Sequence, residues 1–440
     1  MATKRILLGL AAAASLAGAA PAAVQRGYAL DGATCDGWPR APIDMAPGLC
    51  AGIVLQPVAG QFAARQLRMP RALLPLEGGR DWIVVDLGGW GDRQGSVWRL
   101  TAEAGRPARL TRLLTGLTMP HGLGAGPDGK VYVGEMSRVI RFDPAAADPA
   151  ATVEAVVTGL PDNKLHQHRH PLSHFLFDAD GDLLVNVGAP SDQCGAPGRP
   201  AGETVCAEAE GDEPTAGVRR YRYLGQGRWD PAYTMFARGL RNSLALARHS
   251  SGSILQAENS IDYPEPERPF EELNLLAEGR HYGWPYCYDE GAPAPVWQGR
   301  GPGCASMAKP ASLLPPHSAP LGMLYYDGAM FPELEERLLI TLHGYREAGG
   351  RIVAFDVGAD GLPARRAGAR YPVYAAGGKV AMKPYPGLQA ESRVLTPGWQ
   401  ARPGVRPMGT PVGMAVAADG ALWVAEDKNA AILRIARDRP

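Results

Sequence analysis

The stretch PHGLGAGPDGKVYVGEMSRVIRF, residues 120–142, contains a complete series of strands and turns. An apolar strand is followed by an Asp-Gly hairpin turn at Asp128-Gly129, an alternating strand VYVGE and a third strand VIRF. Residues 411–435, PVGMAVAADGALWVAEDKNAAILRI, repeat this order almost position for position, with Asp419-Gly420 at the turn. A unit that returns within one chain predicts a repeat architecture.

Four further copies complete the set. Residues 170–188 carry a copy with its turn at Asp180-Gly181, and weaker copies occupy residues 69–89, 241–259 and 319–344. Six antiparallel units without a convincing amphipathic helix between them predict an all-β chain folded as a six-bladed β-propeller. A β-sandwich would supply similar strands, but it would not explain why the same order returns six times.

The first residues of the copies are expected at the innermost strand of each blade, near the central channel. Six polar residues would then gather around one mouth of that channel: His121, His170, Arg241, Asn242, His317 and Arg346. Four histidines at positions 166, 168, 170 and 174 also raise the possibility of a zinc site. No HExxH motif or carboxylate set accompanies them, which favours a polar rim.

Composition and the N-terminal segment limit the partners and the compartment. The 440 residues include 45 basic and 45 acidic side chains, so no net charge favours nucleic acid as a partner. Residues 1–23 are typical of a signal peptide, and no later apolar run is long enough for an integral membrane segment. We therefore expect a periplasmic or secreted protein, with an N-terminal extension over 24–60 and the propeller over 61–440.

The cysteines fall in three local pairs, which fits an oxidising compartment. Six cysteines allow 15 connectivities, but the spacing favours three short loops: Cys35–Cys50, Cys194–Cys206 and Cys287–Cys304. No CxxC motif suggests zinc or thiol chemistry, and no CxxCH motif suggests covalent haem.

Three segments carry a resemblance to a known family. GLRNSLAL (239–246), HSAPLGMLYY (317–326) and the segment from Glu272 to Tyr288, with ELN followed by HYGWPYCY, resemble the pyrroloquinoline quinone (PQQ) dependent glucose/sorbosone dehydrogenases. The resemblance extends over roughly residues 60–437. It implies a six-bladed propeller with PQQ and a sugar at the mouth of the channel, and electron transfer to a quinone or cytochrome acceptor.

The resemblance also implies roles for individual residues. The family's catalytic base lies ten residues before the aspartate of the third hairpin turn, which is His170 here. The family's Arg-Asn pair at the quinone corresponds to Arg241 and Asn242, and its structural calcium site to the carboxylate of Glu272 and the carbonyl of Tyr282. A second cation would contact backbone carbonyls of the segment that starts at Asn259.

Three positions depart from the family pattern. Met69-Pro70-Arg71 stands where the family has a glutamine, and Gly409-Thr410-Pro411-Val412 stands where soluble glucose dehydrogenases have two arginines. A cofactor-binding lysine is also missing, and Arg346 could supply its charge. Two alternatives therefore stay open: a propeller without cofactor that binds carbohydrate or acts as a scaffold, and a calcium-dependent lactonase.

Overall fold

A computed structural model describes residues 27–58, 65–162, 169–195, 204–344, 346–375, 380–399 and 408–438. These residues form a six-bladed β-propeller, which confirms the all-β fold predicted from the repeat. The predicted signal peptide lies outside the described residues. In the described part of the chain, no helix combines the length and apolar character needed to cross a bilayer.

Each blade is a sheet of four antiparallel strands that follow one another from the channel outward. The first blade contains Pro70–Pro75, Asp81–Asp86, Gly95–Thr101 and Arg109–Leu117. The second contains Gly122–Ala125, Val131–Gly134, Val139–Phe142 and Glu154–Val157. The third contains Phe175–Phe177, Leu183–Val187, Gly217–Tyr223 and Trp229–Arg238, with the short strand Arg280–His281 added in parallel at its edge.

The remaining three blades follow the same order. The fourth contains Ala245–Arg248, Ile254–Glu258, Glu271–Leu276 and Ser312–Leu314. The fifth contains Pro320–Tyr325, Leu338–Leu342, Arg351–Phe355 and Arg393–Val394. The sixth contains Pro411–Val416, Leu422–Glu426, Ala431–Arg437 and Leu49–Leu55. The first strand of each blade contacts the first strands of both neighbouring blades, so the six inner strands close a ring.

The sixth blade combines one strand from the first part of the chain with three strands from its last part. Its outermost strand, Leu49–Leu55, pairs antiparallel with Ala431–Arg437. This strand lies within the 24–60 segment predicted as an extension, so that part of the segment belongs to the propeller. Because the strand covers an otherwise open sheet edge, it closes the ring by hydrogen bonding as well as by packing.

The repeated Asp-Gly turns form as predicted. Gly129, Gly181 and Gly420 have φ values of 75°, 84° and 85°. A residue with a side chain is strained in this left-handed conformation, which explains why glycine occupies the same place in each copy. The turn fixes the register of the first two strands, and therefore the position of the residues at the start of each blade.

Smaller elements decorate the ring. They are the hairpin strands Thr34–Cys35 and Trp38–Pro39, Cys287–Tyr288 and Ala292–Pro293, Arg365–Ala367 and Leu388–Ala390, and Arg370–Tyr374 and Val380–Pro384, together with one helical turn at Ala207–Glu210 and 3-10 turns at Pro149–Thr152, Pro295–Trp297, Cys304–Ser306 and Pro332–Leu334. Several of these elements belong to two long insertions. One lies between the second and third strands of the third blade and is described over 188–195 and 204–216, and the other lies between the third and fourth strands of the fourth blade, over 277–311.

The insertions pack against each other at the mouth. The indole Nε1 of Trp284, in the HYGWPYCY segment, donates to the Asp192 carbonyl at 2.9 Å. Trp297 Nε1 donates to the Gln193 carbonyl at 3.1 Å. The structure also confirms the three predicted disulfides, Cys35–Cys50, Cys194–Cys206 and Cys287–Cys304. Two of them lie in this small core, which holds the loop containing Asp192 in place.

Candidate functional site

A cavity of about 280 Å³ opens at the end of the channel where the inner strands begin. Its wall is mostly apolar, with side chains at or just before the start of the inner strands, such as Leu172, Leu244 and Leu321. Its polar groups are few and come from several blades: Arg71, Arg169, His170, Asn242, His343 and Asp427. An apolar pocket with a small number of convergent polar groups is the usual form of a small-molecule site.

His170 is held on this wall by a backbone hydrogen bond. Its Nδ1 lies 2.6 Å from the carbonyl oxygen of Ala189, and the residue is 8% exposed. A carbonyl can only accept, so Nδ1 carries the proton and Nε2 of the neutral ring carries the lone pair. Gly188 packs so closely that a Cβ there would lie 2.6 Å from the His170 Cβ. The backbone thus fixes both the tautomer and the place of the imidazole.

Asn242 presents its side chain to the same cavity. Its backbone N–H donates to Glu258 Oε1 at 3.0 Å, and its carbonyl accepts from the Asn259 N–H at 3.1 Å. Its Oδ1 is buried without a hydrogen-bond partner among the described residues. A buried acceptor without a partner is unfavourable. A ligand that donates a hydrogen bond into the cavity would remove that cost.

The neighbouring Arg241 is fully engaged with protein groups. Its Nε and Nη2 lie 2.9 and 2.7 Å from Asp192 Oδ1, and Nη2 also lies 3.1 Å from Asp262 Oδ2. Its Nη1 donates to the Asn259 carbonyl at 2.9 Å. Although burial raises the pKa of Asp192, the positive charge of Arg241 outweighs it, and the pKa lies below its ordinary value. Arg241 is therefore adjacent to the cavity but paired with two carboxylates.

A network of polar side chains on another part of the cavity wall was not expected from the sequence. Arg71 Nη1 lies 2.5 Å from Asp427 Oδ2, and Arg71 Nε donates to His121 Nδ1 at 3.2 Å. His343 Nε2 lies 3.0 Å from Asp427 Oδ1, which also accepts from the Thr410 hydroxyl at 2.7 Å. The network joins side chains from four different blades, so no local motif of the sequence could reveal it.

Two exposed side chains complete the rim. Trp90 is 55% exposed and follows the second strand of the first blade within LGGWGD. Arg169 precedes His170 and forms an ion pair with Asp262 at 3.0 Å. An exposed indole and a guanidinium offer a flat apolar face and a cation to a ligand that enters the cavity. Trp90 was not predicted from the sequence; the signal that could have indicated it is a tryptophan flanked by glycines in LGGWGD.

Buried acids hold the loops at the mouth. In four blades an acid at the end of the second strand accepts a backbone N–H from the start of the blade: Asp86 from Met69 at 2.6 Å, Glu135 from Thr118 at 2.8 Å, Glu258 from Asn242 at 3.0 Å and Glu426 from Thr410 at 2.8 Å. Burial raises the pKa of Glu258 and of Glu426 to about 7. The sequence carries a signal for this role: an acid stands at the end of the second strand in four of the six copies, in VVD, VGE, QAE and VAE.

The other residues predicted at the mouth lie near the cavity without lining it. His317 Nε2 lies 2.7 Å from the Glu265 carbonyl, and Arg346 Nη1 donates to the same carbonyl at 3.5 Å. His121 and His174 pack edge to face with ring centroids 5.8 Å apart, and burial lowers the pKa of His174 to about 4. His166 and His168 lie outside the described residues. Within the described residues, no group of three or more His, Cys, Asp or Glu side chains is arranged to hold a metal ion.

The family described as Glucose / Sorbosone dehydrogenase matches residues 123–346, about half of the chain. This chain belongs to that family. The match runs from the second blade to the first two strands of the fifth, and therefore includes His170, the Arg241-Asn242 pair and His343. It confirms the family expected from the GLRNSLAL and HYGWPYCY segments.

Solved structures similar to this family member share its fold. They include the calcium structure of Trichoderma reesei carbohydrate-active enzyme family AA12, which is 19% identical, with 90% of this chain and 97% of that chain covered and a TM-score of 0.63. The holo form of the pyranose dehydrogenase PQQ domain from Coprinopsis cinerea is 21% identical, with 92% and 100% covered and a TM-score of 0.62. The PQQ-bound aldose sugar dehydrogenase from Streptomyces coelicolor is 16% identical, with 89% and 99% covered and a TM-score of 0.54.

A curated relative gives only a partial match to this glucose/sorbosone dehydrogenase family member. An uncharacterized protein of Borreliella burgdorferi is 31% identical over 109 residues, which are 24% of this chain and 29% of that relative. The chain thus matches less than a third of the relative's length.

Both residues expected to bind calcium are buried: Glu272 lies in the fourth blade, and Tyr282 follows the strand Arg280–His281 at the edge of the third. Glu272 is 5% exposed, lies opposite Glu258 on the neighbouring strand and accepts from Asn274 Nδ2 at 3.4 Å. Burial raises the pKa of Glu272 well above its ordinary value, and the nearby charge of Glu258 raises it further. The Tyr282 hydroxyl donates to the Leu275 carbonyl at 2.6 Å, and its amide donates to the Arg238 carbonyl at 2.9 Å. A divalent cation beside Glu272 would relieve the repulsion between these carboxyl groups.

Proposed function

We propose that this protein is an exported, PQQ-dependent dehydrogenase that oxidises an aldose or a sorbosone-type sugar at C1 and passes electrons to a quinone or cytochrome. The observation that carries the proposal is the position of His170, which lines the cavity at the mouth and has its Nδ1 fixed by the Ala189 carbonyl. Membership of the glucose/sorbosone dehydrogenase family supports the same reaction class.

The cavity suits a flat ligand with hydrogen-bonding groups. Its volume of about 280 Å³ is near the lower end of small-molecule sites, which measure roughly 300–1,000 Å³. Asn242 Oδ1 needs a hydrogen-bond donor, and Trp90 and Arg169 offer a stacking face and a positive charge at the rim. We assign Asn242, Arg169 and Arg241 as ligands of PQQ, and Asn259 as the residue whose carbonyl holds the Arg241 side chain.

The proposed chemistry needs one base in the protein. When bound, PQQ supplies a carbonyl that accepts a hydride from C1 of the sugar. His170 Nε2 would remove the proton of the C1 hydroxyl as the hydride leaves C1, so that an aldose yields a lactone. The apolar wall formed by Leu172, Leu244 and Leu321 keeps water from the reacting atoms.

Calcium is proposed as the second cofactor, at the buried carboxylate of Glu272 with the carbonyl of Tyr282 as a further ligand. An oxygen-rich, acidic and buried environment is the chemistry that this cation prefers. Arg346 stays assigned to the rim near the Tyr263 carbonyl, 3.4 Å away, where its charge adds to the attraction for an anionic cofactor.

One observation favours a second function. Because Arg241 is already paired with Asp192 and Asp262, the scaffold could bind a carbohydrate without any quinone. Adding PQQ and Ca²⁺ to the purified protein distinguishes the two functions. PQQ binding is measured by quenching of tryptophan fluorescence, and turnover is measured by dye reduction with a panel of aldoses. Binding with sugar-dependent dye reduction supports the dehydrogenase. Sugar binding without PQQ binding at micromolar cofactor would overturn it in favour of the carbohydrate-binding protein.

A further inference from the structure

Asp262 bridges two arginines at the rim of the cavity. Its Oδ2 lies 3.0 Å from Arg169 Nη2 and 3.1 Å from Arg241 Nη2. Arg169 lines the cavity, and Arg241 precedes Asn242, which also lines it. A carboxylate between two guanidinium groups marks a place where an anion binds with charge-assisted hydrogen bonds. In this structure the anion is a side chain of the protein itself.

The two aspartates that contact Arg241 are held very differently. The Asp192 side chain is 12% exposed, and its Oδ1 accepts from Arg241 Nε and from the Asp262 backbone N–H at 3.1 Å. Its loop is fixed by Trp284 Nε1 and by the Cys194–Cys206 disulfide. The Asp262 side chain is 56% exposed. Asp192 is therefore the fixed counterion of Arg241, and Asp262 is the one that can turn into solvent at little cost.

We propose that Asp262 occupies the anion site formed by Arg169 and Arg241 in the ligand-free protein, and that it leaves this site when a carboxylate of an aromatic polycarboxylate cofactor binds there. The inference rests on the proposed function, because PQQ is such a compound. Asp192 keeps Arg241 oriented during the exchange. Asp262 thereby lowers the affinity for anionic ligands and keeps the buried guanidinium paired in their absence.

This exchange explains how Arg241 can be buried and paired with carboxylates and still bind an anionic ligand. A buried guanidinium without a counterion is strongly unfavourable, and Asp192 supplies that counterion both before and after the exchange. The Arg169–Asp262 pair is exposed, and an exposed ion pair contributes little, so the ligand has only a weak competitor to displace. The 4% exposure of the Arg241 side chain and the exposure of Asp262 match these two requirements.

The test compares the wild type with Asp262→Asn, which removes the competing charge and keeps the size of the side chain. Binding of PQQ with Ca²⁺, and separately of benzene-1,3,5-tricarboxylate, is measured by calorimetry on the full-length protein at low and high salt. We expect Asp262→Asn to bind both anions about fivefold to tenfold more tightly, since the variant removes the charge that competes for Arg169 and Arg241 in the wild type. The gain should shrink at high salt, because screening weakens exposed charges.

Two control variants separate this exchange from a general effect of charge. Glu278→Gln removes a carboxylate that is 59% exposed and pairs with Arg220 at 2.6 Å outside the cavity, and it should bind as the wild type does. Asp192→Asn loosens the fixed counterion and should weaken binding. Unchanged or weaker binding of both anions by Asp262→Asn would overturn the inference. If PQQ binds to no variant but the tricarboxylate binds more tightly to Asp262→Asn, the inference stands and the proposed cofactor is wrong.

Discussion

His343 Nε2 lies 3.0 and 3.1 Å from the two carboxylate oxygens of Asp427, across the junction between the fifth and sixth blades. The same carboxylate pairs with Arg71 of the first blade and accepts from Thr410. Burial raises the pKa of Asp427, but His343 and Arg71 outweigh it and hold the pKa well below its ordinary value. An ionised carboxylate thus joins three blades at the wall of the cavity. Because Arg71 and His343 contact this carboxylate from two different blades, the network fixes the shape of the mouth.

Replacing Asp427 should cost more stability than replacing its neutral partner. Asp427→Asn leaves Arg71, which is 2% exposed, without its counterion, so we expect the free energy of unfolding to fall by about 3–5 kcal/mol. Thr410→Val removes one hydrogen bond to the same carboxylate and should cost about 1 kcal/mol. Urea unfolding followed by tryptophan fluorescence measures both. Equal losses in the two variants would show that the charge of Asp427 is not what holds the network together.

His170 should affect turnover and leave cofactor binding intact. His170→Gln keeps a side chain of similar length but has no basic nitrogen, so we expect kcat with PQQ, Ca²⁺ and an aldose to fall by about 10²–10⁴. The Kd for PQQ should stay near that of the wild type. His249→Gln, at the hairpin turn of the fourth blade, and His168→Ala should both retain activity. Loss of turnover in His168→Ala with activity preserved in His170→Gln would move the base to the other histidine.

Local signals in the sequence predicted the fold well. The Asp-Gly turns place Gly129, Gly181 and Gly420 in the left-handed conformation that the hairpins need, and the spacing of the cysteines predicted all three disulfides. Both features depend on residues close to each other in the chain. The same short-range logic placed His170 and Asn242 at the mouth.

Contacts between residues far apart in the sequence could not be predicted in this way. Asp192 comes from the insertion of the third blade. Trp284, in the insertion of the fourth blade, donates to the Asp192 carbonyl, and in this position Asp192 pairs with Arg241. Arg71 and Asp427 are separated by most of the chain and become neighbours when the ring closes. Arg346 was expected in place of a lysine at the cofactor, yet the polar side chain of that blade that lines the cavity is His343. These contacts depend on which blades become neighbours when the ring closes, and the repeat in the sequence does not contain that information.

Calcium should stabilise the fourth blade. If Ca²⁺ binds at Glu272, the folded state gains free energy that grows with the metal concentration, about 2.7 kcal/mol at a hundred times the Kd. We therefore expect EDTA to lower the thermal midpoint and added Ca²⁺ to restore it. Glu272→Gln should abolish the response, whereas Glu278→Gln, at an exposed carboxylate, should keep it. A thermal midpoint in the wild type that is insensitive to both EDTA and Ca²⁺ would exclude this site.

Glu426 should make stability depend on pH near neutrality. Burial, and then the nearby Asp427 charge, raise its pKa from 4.5 to about 7, although Thr410 N–H, 2.8 Å away, donates to it and lowers the pKa. The folded protein therefore binds a proton here that the unfolded chain releases above pH 4.5. This contribution to stability is complete below that pH and is lost as the pH rises through 7.

The free energy of unfolding of the wild type should accordingly decrease between pH 5 and 7 more steeply than that of Glu426→Gln, whose amide does not ionise. The difference in slope is expected to approach about 1.4 kcal/mol per pH unit, the value for one proton. Urea unfolding at several pH values measures it, and Glu103→Gln, at an exposed carboxylate, should follow the wild type. Parallel curves for the wild type and Glu426→Gln would mean that Glu426 is already ionised in the folded protein, and that its backbone donors outweigh its burial.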